Sequence, residues 1–164
     1  MTLPRLAAWA LLLIGVGCTN APEAPSTKSQ LVADMKRATD HHSYSRPEEA
    51  VTTHLTWSAQ VDFETRQVRA TATYDIATSD DAQRLMLDCR DLTIHDVFVD
   101  GTKVDFDLGP ARPFIGQPLS IPVTSSTQQV MVSYTTSPDA AAFLWVEGDS
   151  PFLFTQSKAI LARS

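Results

Sequence analysis

Cysteine is scarce, 2 in 164 residues, too few for a disulfide framework to hold the fold. Cys89 falls on the apolar side of an alternating segment, where a lone cysteine acts as a small buried hydrophobe. Histidine is nearly as rare, at His41, His42, His54 and His95, and none is followed by glutamate. The His-Glu-x-x-His pattern of zinc hydrolases is therefore missing from this sequence. His41 and His42 point to opposite sides of an extended chain, with no further ligand at metal spacing, so they read as a polar lead-in. Glycine is also thin, 6 in all; the four beyond residue 18, Gly101, Gly109, Gly116 and Gly148, each suit a turn, and no phosphate-cradling loop or Gly-x-Ser-x-Gly elbow can be built from them. No Cys-x-x-Cys occurs. No run of Lys or Arg appears and the formal charge is -6, which argues against nucleic acid as a partner because nothing could collect a row of phosphates. Asp88, Asp91, Asp96, Asp100, Asp105 and Asp107 alternate with apolar residues or occupy turns, the pattern of a wetted strand face rather than of a calcium loop. No convincing amphipathic helix and no internal repeat breaks this picture.

What is present begins with a leader. Residues 1–18 carry Arg5, an apolar run from Leu6 to Val16 and then Gly17-Cys18, the layout of a secretory signal too short to span a membrane. Cysteine directly after a small residue resembles the lipobox of bacterial lipoproteins, although Gly15 stands where that box usually has leucine. Two readings of Cys18 follow: lipidation of the new N-terminus, or plain cleavage with an incidental cysteine. The first puts the chain in the cell envelope, lipid-anchored at the periplasmic face of a bacterial membrane. Residues 19–42, rich in Pro, Ala, Ser and charge, are expected to be a flexible tether, with a short helix allowed over 30–38.

From Thr53 the period is that of strands. Leu55, Trp57, Ala59, Val61 and Phe63 share one face, Glu64-Thr65-Arg66 turns, and Val68, Ala70, Ala72, Tyr74 and Ile76 line the return, which makes an antiparallel hairpin with one apolar side. His54 reads as a polar edge residue. Leu85, Leu87 and Cys89 alternate next. Leu92, Ile94, Val97 and Val99 follow, with a slip of phase at His95 that predicts a β-bulge. Across the Arg90-Asp91 corner the two segments are expected to form one strand running across a sheet, ending at an Asp100-Gly101 hairpin turn. Val104, Phe106 and Leu108 continue the alternation. Leu119, Ile121 and Val123 form a strand that Pro118 and Pro122 assign to an edge or to irregular pairing, and Val130, Val132 and Tyr134 form one more. Seven or so strands divided by turns predict an all-β domain over 43–164, a mostly antiparallel β-sandwich or curved, saddle-like sheet.

A set of short motifs adds a resemblance. Arg46-Pro47-Glu48, His54-Leu55, Val61-Asp62-Phe63, Leu87-Asp88, Arg90-Asp91-Leu92-Thr93-Ile94, Pro118-Leu119, Ile121-Pro122, Tyr134 to Pro138, Leu144-Trp145 and Pro151 to Gln156 come in the order and spacing of the N-terminal domain of M1 zinc aminopeptidases. Within that family they are most similar to the leukotriene A4 hydrolase branch. The resemblance runs from about Ser43 to the end. It implies a saddle-like β domain covering a separate catalytic domain, whose zinc and activated water come from residues this sequence does not carry. It also implies that the family's β domain continues past Ser164. One substrate-binding position of the family falls here: Gln156 matches, while Lys158 stands where the family carries Gln or Glu to anchor the free amino end of a peptide. An ammonium repels a substrate ammonium and offers no acceptor. Leu161 also replaces a residue that is often His in this branch. The same stretch reads equally as an apolar segment with Lys158 in water.

The sequence thus points to an exported, non-catalytic β domain of an M1-like zinc metallopeptidase. Its partner would be the catalytic domain, peptide would reach it only through that domain, and membrane contact would come from the lipid anchor. The alternative is a self-sufficient envelope lipoprotein whose sandwich binds a protein or small ligand.

Overall fold

The computed structural model describes residues 41–155. The expected signal segment over 1–18 with Cys18, and nearly all of the expected 19–42 tether, lie outside the described residues, as do Gln156, Lys158 and Leu161. Among the described residues there is no helix. The strands are β1 (Ala50–Asp62), β2 (Gln67–Thr78), β3 (Arg84–Cys89), β4 (Leu92–Val99), β5 (Thr102–Val104), β6 (Asp107–Leu108), β7 (Gln117–Pro122), β8 (Gln129–Thr136), β9 (Phe143–Val146) and β10 (Phe152–Thr155). They form a 5-stranded sheet in the order β1-β2-β8-β4-β5, a 3-stranded sheet in the order β3-β7-β6 and a 2-stranded ribbon, β10-β9. All the pairings are antiparallel, as the turn-rich, helix-poor sequence predicts.

The two larger sheets face one another across a single core. Leu85, Leu87, Cys89, Leu119 and Ile121 from the smaller sheet pack with Ile76, Val97, Val130 and Val132 from the larger one. These positions come from period-2 alternation, which sends every second side chain inward. The bulge predicted at His95 is present as a register shift between Ile94 and Asp96. It is what keeps Ile94 and Val97, an odd number of residues apart, on the same face. The Asp100-Gly101 turn is also present: both residues have positive φ, 47° and 81°, and they join Val99 to Thr102, the two-residue turn whose twist matches that of paired strands. Asp100 Oδ1 accepts the N–H groups of Gln128 and Gln129 at 3.0 and 2.9 Å, tying this turn to the start of β8.

Several expectations change. The segment from Arg84 to Val99 is not one strand crossing a sheet: β3 and β4 lie in different sheets. Asp91, with φ 58°, turns the chain through the left-handed region at the corner. Val104 to Leu108 is likewise divided, because the chain leaves β5 at Asp105-Phe106 and enters the other sheet as β6. β7, expected at an edge or in irregular pairing, lies between β3 and β6, so the edge position does not hold. Its prolines are tolerated because the Pro118 carbonyl accepts from Gly109 N–H, so the side of β7 on which Pro118 and Pro122 lack a donor faces β6, a strand of 2 residues. The apolar side of β1 is the largest departure. Leu55 and Trp57 are each 50% exposed, because the smaller sheet covers the middle of the larger one and the core between the sheets includes Ala50 of β1 but none of residues 52–62.

Candidate functional site

Two neighbouring features gather most of the aromatic side chains. The first is a pocket of about 280 Å³ between the β1 side of the large sheet and the connections around it, walled by Trp57, Leu92, Phe114, Ile115, Tyr134 and Phe143. Its floor depends on β2. Trp57 lies opposite Ala72 and Tyr134 opposite Ala70, so two small side chains leave room for the indole to reach across the strand. Trp57 Nε1 donates to Tyr134 Oη at 2.8 Å. Burial pushes the Tyr134 phenol above its ordinary value, with the Trp57 hydrogen bond acting in the opposite direction. The pocket's polar rim is engaged locally. Asp88 Oδ1 accepts Tyr44 N–H at 2.8 Å, and Arg90 Nε lies 3.4 Å from Asp91 Oδ2. The pocket therefore presents rings and a paired rim, a site for apolar matter rather than for charge.

The second feature is the ribbon. Trp145 of β9 meets Phe63 edge-on at 5.7 Å and Phe143 at 6.2 Å, the offset geometry that aromatic quadrupoles favour. An Arg66–Glu147 ion pair adds a second tie to the β1–β2 turn. The outer side of the ribbon stays open, with Leu144, Phe152 and Phe154 at 58, 54 and 47% exposure. Trp145 Nε1 is buried and has no hydrogen-bond acceptor among the described residues. Exposed rings clustered in this way mark contact surfaces. Thr155 closes β10, so Gln156 and Lys158 follow directly from the ribbon in sequence.

The outer face holds the nearest approach to a catalytic pair. The bulge turns His95 toward Thr135, and Nε2 lies 2.8 Å from Oγ1. A nucleophile of this kind needs an oriented base and donors for an oxyanion; this one lies on an exposed strand face. Cys89 cannot serve either, because burial, with a smaller contribution from Asp91, pushes its thiol up to about 11, far from the thiolate that reactivity requires. Among the described residues no group of three or more His, Cys, Asp or Glu could hold a metal ion. The zinc of the resembled family thus finds no fitting ligand set here, and no hydrolytic step is assigned to these residues.

Sequence reasoning missed the Trp57–Tyr134 pair. The signal was local and readable, an Ala70-x-Ala72 gap, but using it requires knowing that β2 lies between β1 and β8. His41, which the sequence placed in the lead-in, is exposed, and His42 lines the pocket.

No family model matches the chain. Individual relatives do. Leucine aminopeptidase 2 of Candida albicans is 37% identical over 114 residues, 68% of this chain and 18% of that protein. Leukotriene A-4 hydrolase of Xenopus laevis is 33% identical over 137 residues, 76% of this chain and 22% of its own length. The chain thus spans about a fifth of the curated relatives it matches. Among solved structures, yeast LTA4 hydrolase in complex with bestatin superposes with a TM-score of 0.69 at 23% identity, covering 79% of this chain and 22% of that one. By sequence and by fold, the chain is related to the N-terminal region of the M1 aminopeptidases of the leukotriene A4 hydrolase branch.

Proposed function

We propose that this chain is the non-catalytic β domain of an exported M1-like zinc metallopeptidase, and that it covers and helps shape the substrate cleft of a catalytic domain. The observation that carries this reading is the aromatic ribbon, anchored at Phe63 and Trp145 with its outer rings exposed, leading directly into Gln156 and Lys158. A ribbon held at one end and apolar on its open side is suited to packing against a second domain. In that arrangement Gln156 offers an amide oxygen to a peptide's amino end, while Lys158 opposes it, so substrates lacking a free ammonium are favoured. Export rests on the Leu6 to Val16 run, and membrane anchoring on Cys18.

The test combines the purified chain with the catalytic portion of a relative such as Candida albicans leucine aminopeptidase 2, and follows hydrolysis of aminoacyl amides. The chain alone with zinc should give no turnover; together the two should give chelator-sensitive turnover that a Phe152→Asp change removes. Lys158→Gln should lower KM for substrates with a free amino end. Chelator-sensitive turnover by the chain alone would refute the reading.

A second reading, a free-standing envelope lipoprotein that takes a small apolar ligand, draws on the ring-walled pocket. Saturable quenching of Trp57 fluorescence by an apolar probe, lost in Tyr134→Ala, would favour it.

A further inference from the structure

We propose that the free edge of β1 is a pairing site for a second copy of this chain, with the two β1 strands running antiparallel about a two-fold axis at Ser58. The inference is independent of any catalytic partner. β1 ends the order β1-β2-β8-β4-β5, so one of its edges has no paired strand among the described residues. The direction of the hydrogen bonds shows which groups that edge offers. Ile76 N–H donates to the Gln128 carbonyl and Val68 N–H to Thr136 Oγ1, so the even residues of β2 face β8 and its odd residues face β1. Through the register Thr73↔Thr56 and Thr71↔Ser58, the even residues of β1 bond to β2. Leu55, Trp57, Ala59 and Val61 therefore turn their N–H and C=O groups outward.

Among the described residues nothing guards this edge. Soluble proteins blunt such strands with Lys, Pro, bulges or short length. β1 runs for 13 residues, AVTTHLTWSAQVD, without Lys, Arg or Pro, and its one register shift lies at its start, between Thr52 and His54. The regular part, His54 to Asp62, is centred on Ser58.

That centre makes the strand complementary to itself. About a dyad at Ser58, Leu55 faces Val61 of the other copy and Trp57 faces Ala59, all on the apolar side. On the opposite side Thr56 faces Gln60, and His54 faces Asp62 at both ends of the interface. Asp62 is held as a carboxylate by the Thr65 and Glu64 N–H groups that bond its Oδ1, so a charged acceptor is in place. A dyad at Trp57 would set Asp62 against Thr52 and His54 against Gln60. A dyad at Ala59 would push the pairing into the turn at Glu64. An imidazole N–H set against a carboxylate across a strand pair stabilises it, and an interface that repeats each contact by symmetry is the usual form of a homodimer.

The test is sedimentation of the purified full chain from low to high micromolar concentration. A reversible dimer is expected. Ala59→Pro removes an outward donor without removing a bond to β2, so it should leave the circular dichroism spectrum unchanged and raise the dimer Kd about tenfold or more. His54→Lys should retain the dimer. His54→Asp should weaken it, and since this change also sets an aspartate directly opposite Asp75 of β2, Ala59→Pro serves as its check. A wild-type chain that stays monomeric overturns the proposal. So does a dimer indifferent to both Ala59→Pro and His54→Asp, or a monomer that dimerises only when residues 156–164 are removed, which would mean that this segment occupies the edge.

Discussion

At the scale of single residues, Gly116 carries the clearest constraint. Its φ is +88°, and a Cβ there would stand 2.4 Å from the Cys89 carbonyl oxygen and 2.8 Å from Arg90 Cβ. Both the conformation and the space demand glycine. Gly116 also exchanges hydrogen bonds with Arg112 at 2.7 and 3.0 Å, so a shift there disturbs the loop that carries Phe114 to the pocket. Gly116→Ala should cost about 2–3 kcal/mol, read as a lower urea midpoint at unchanged slope. Cys89 provides a second check. With its thiol pushed up to about 11 by burial and 3% exposed, it should resist a thiol reagent in the folded Cys18→Ser chain and react at once in denaturant. The two residues differ in how legible they were. Burial of Cys89 follows from alternation with Leu85 and Leu87, a local pattern. Gly116 read only as a turn glycine, because the carbonyl it must avoid is distant in sequence.

At the scale of elements, the strand periods were readable and the sheet assignments were not. The His95 slip and the Asp100-Gly101 turn are both local events, a phase change and a pair of residues that tolerate positive φ, and both are where the sequence predicts them. Whether β3 and β4 share a sheet depends on what each meets across the core, and nothing in residues 84–99 encodes that. The same limit applies to β1: alternation identifies its apolar side, but coverage is decided by how far another sheet extends. The N-terminal turn shows how elements are fastened. Glu49 pairs with Arg46 at 3.0 Å and accepts the backbone N–H groups of Arg84 and Gln83 at 3.2 and 3.4 Å, joining the approach to β1 to the start of β3. Burial raises its pKa, but the Arg46 hydrogen bond and those N–H groups outweigh it and hold the carboxyl below its ordinary 4.5. A group depressed in the folded state stabilises fully above its unfolded value and loses that contribution as pH falls through the folded one. Stability should therefore decline as the pH drops below about 4.5. Glu49→Gln should flatten part of that decline, measured as urea midpoints across the acid range.

At the scale of the whole molecule, the aromatic ring system lies toward one side and the ordinary core fills the middle. The sequence placed the family through short motifs spread along the chain, and relatives and fold agree with it. The pocket escaped because its walls come from β1, β4, β8, β9 and the 114–115 loop, which meet only once the topology is set. The positions inferred from resemblance, Gln156 and Lys158, follow the ribbon in sequence.

The path of the chain has a mechanical consequence. It passes from the larger sheet to the smaller after β2, returns at Asp91, crosses again at Asp105-Phe106 and returns before β8, so the layers are stitched rather than stacked. Neither can peel away while the other stays intact. A protease nick in the exposed loop at Asp80-Asp81 should leave two fragments that co-elute under native conditions and part only in denaturant; if they separate in buffer, the seam is weaker than this stitching requires.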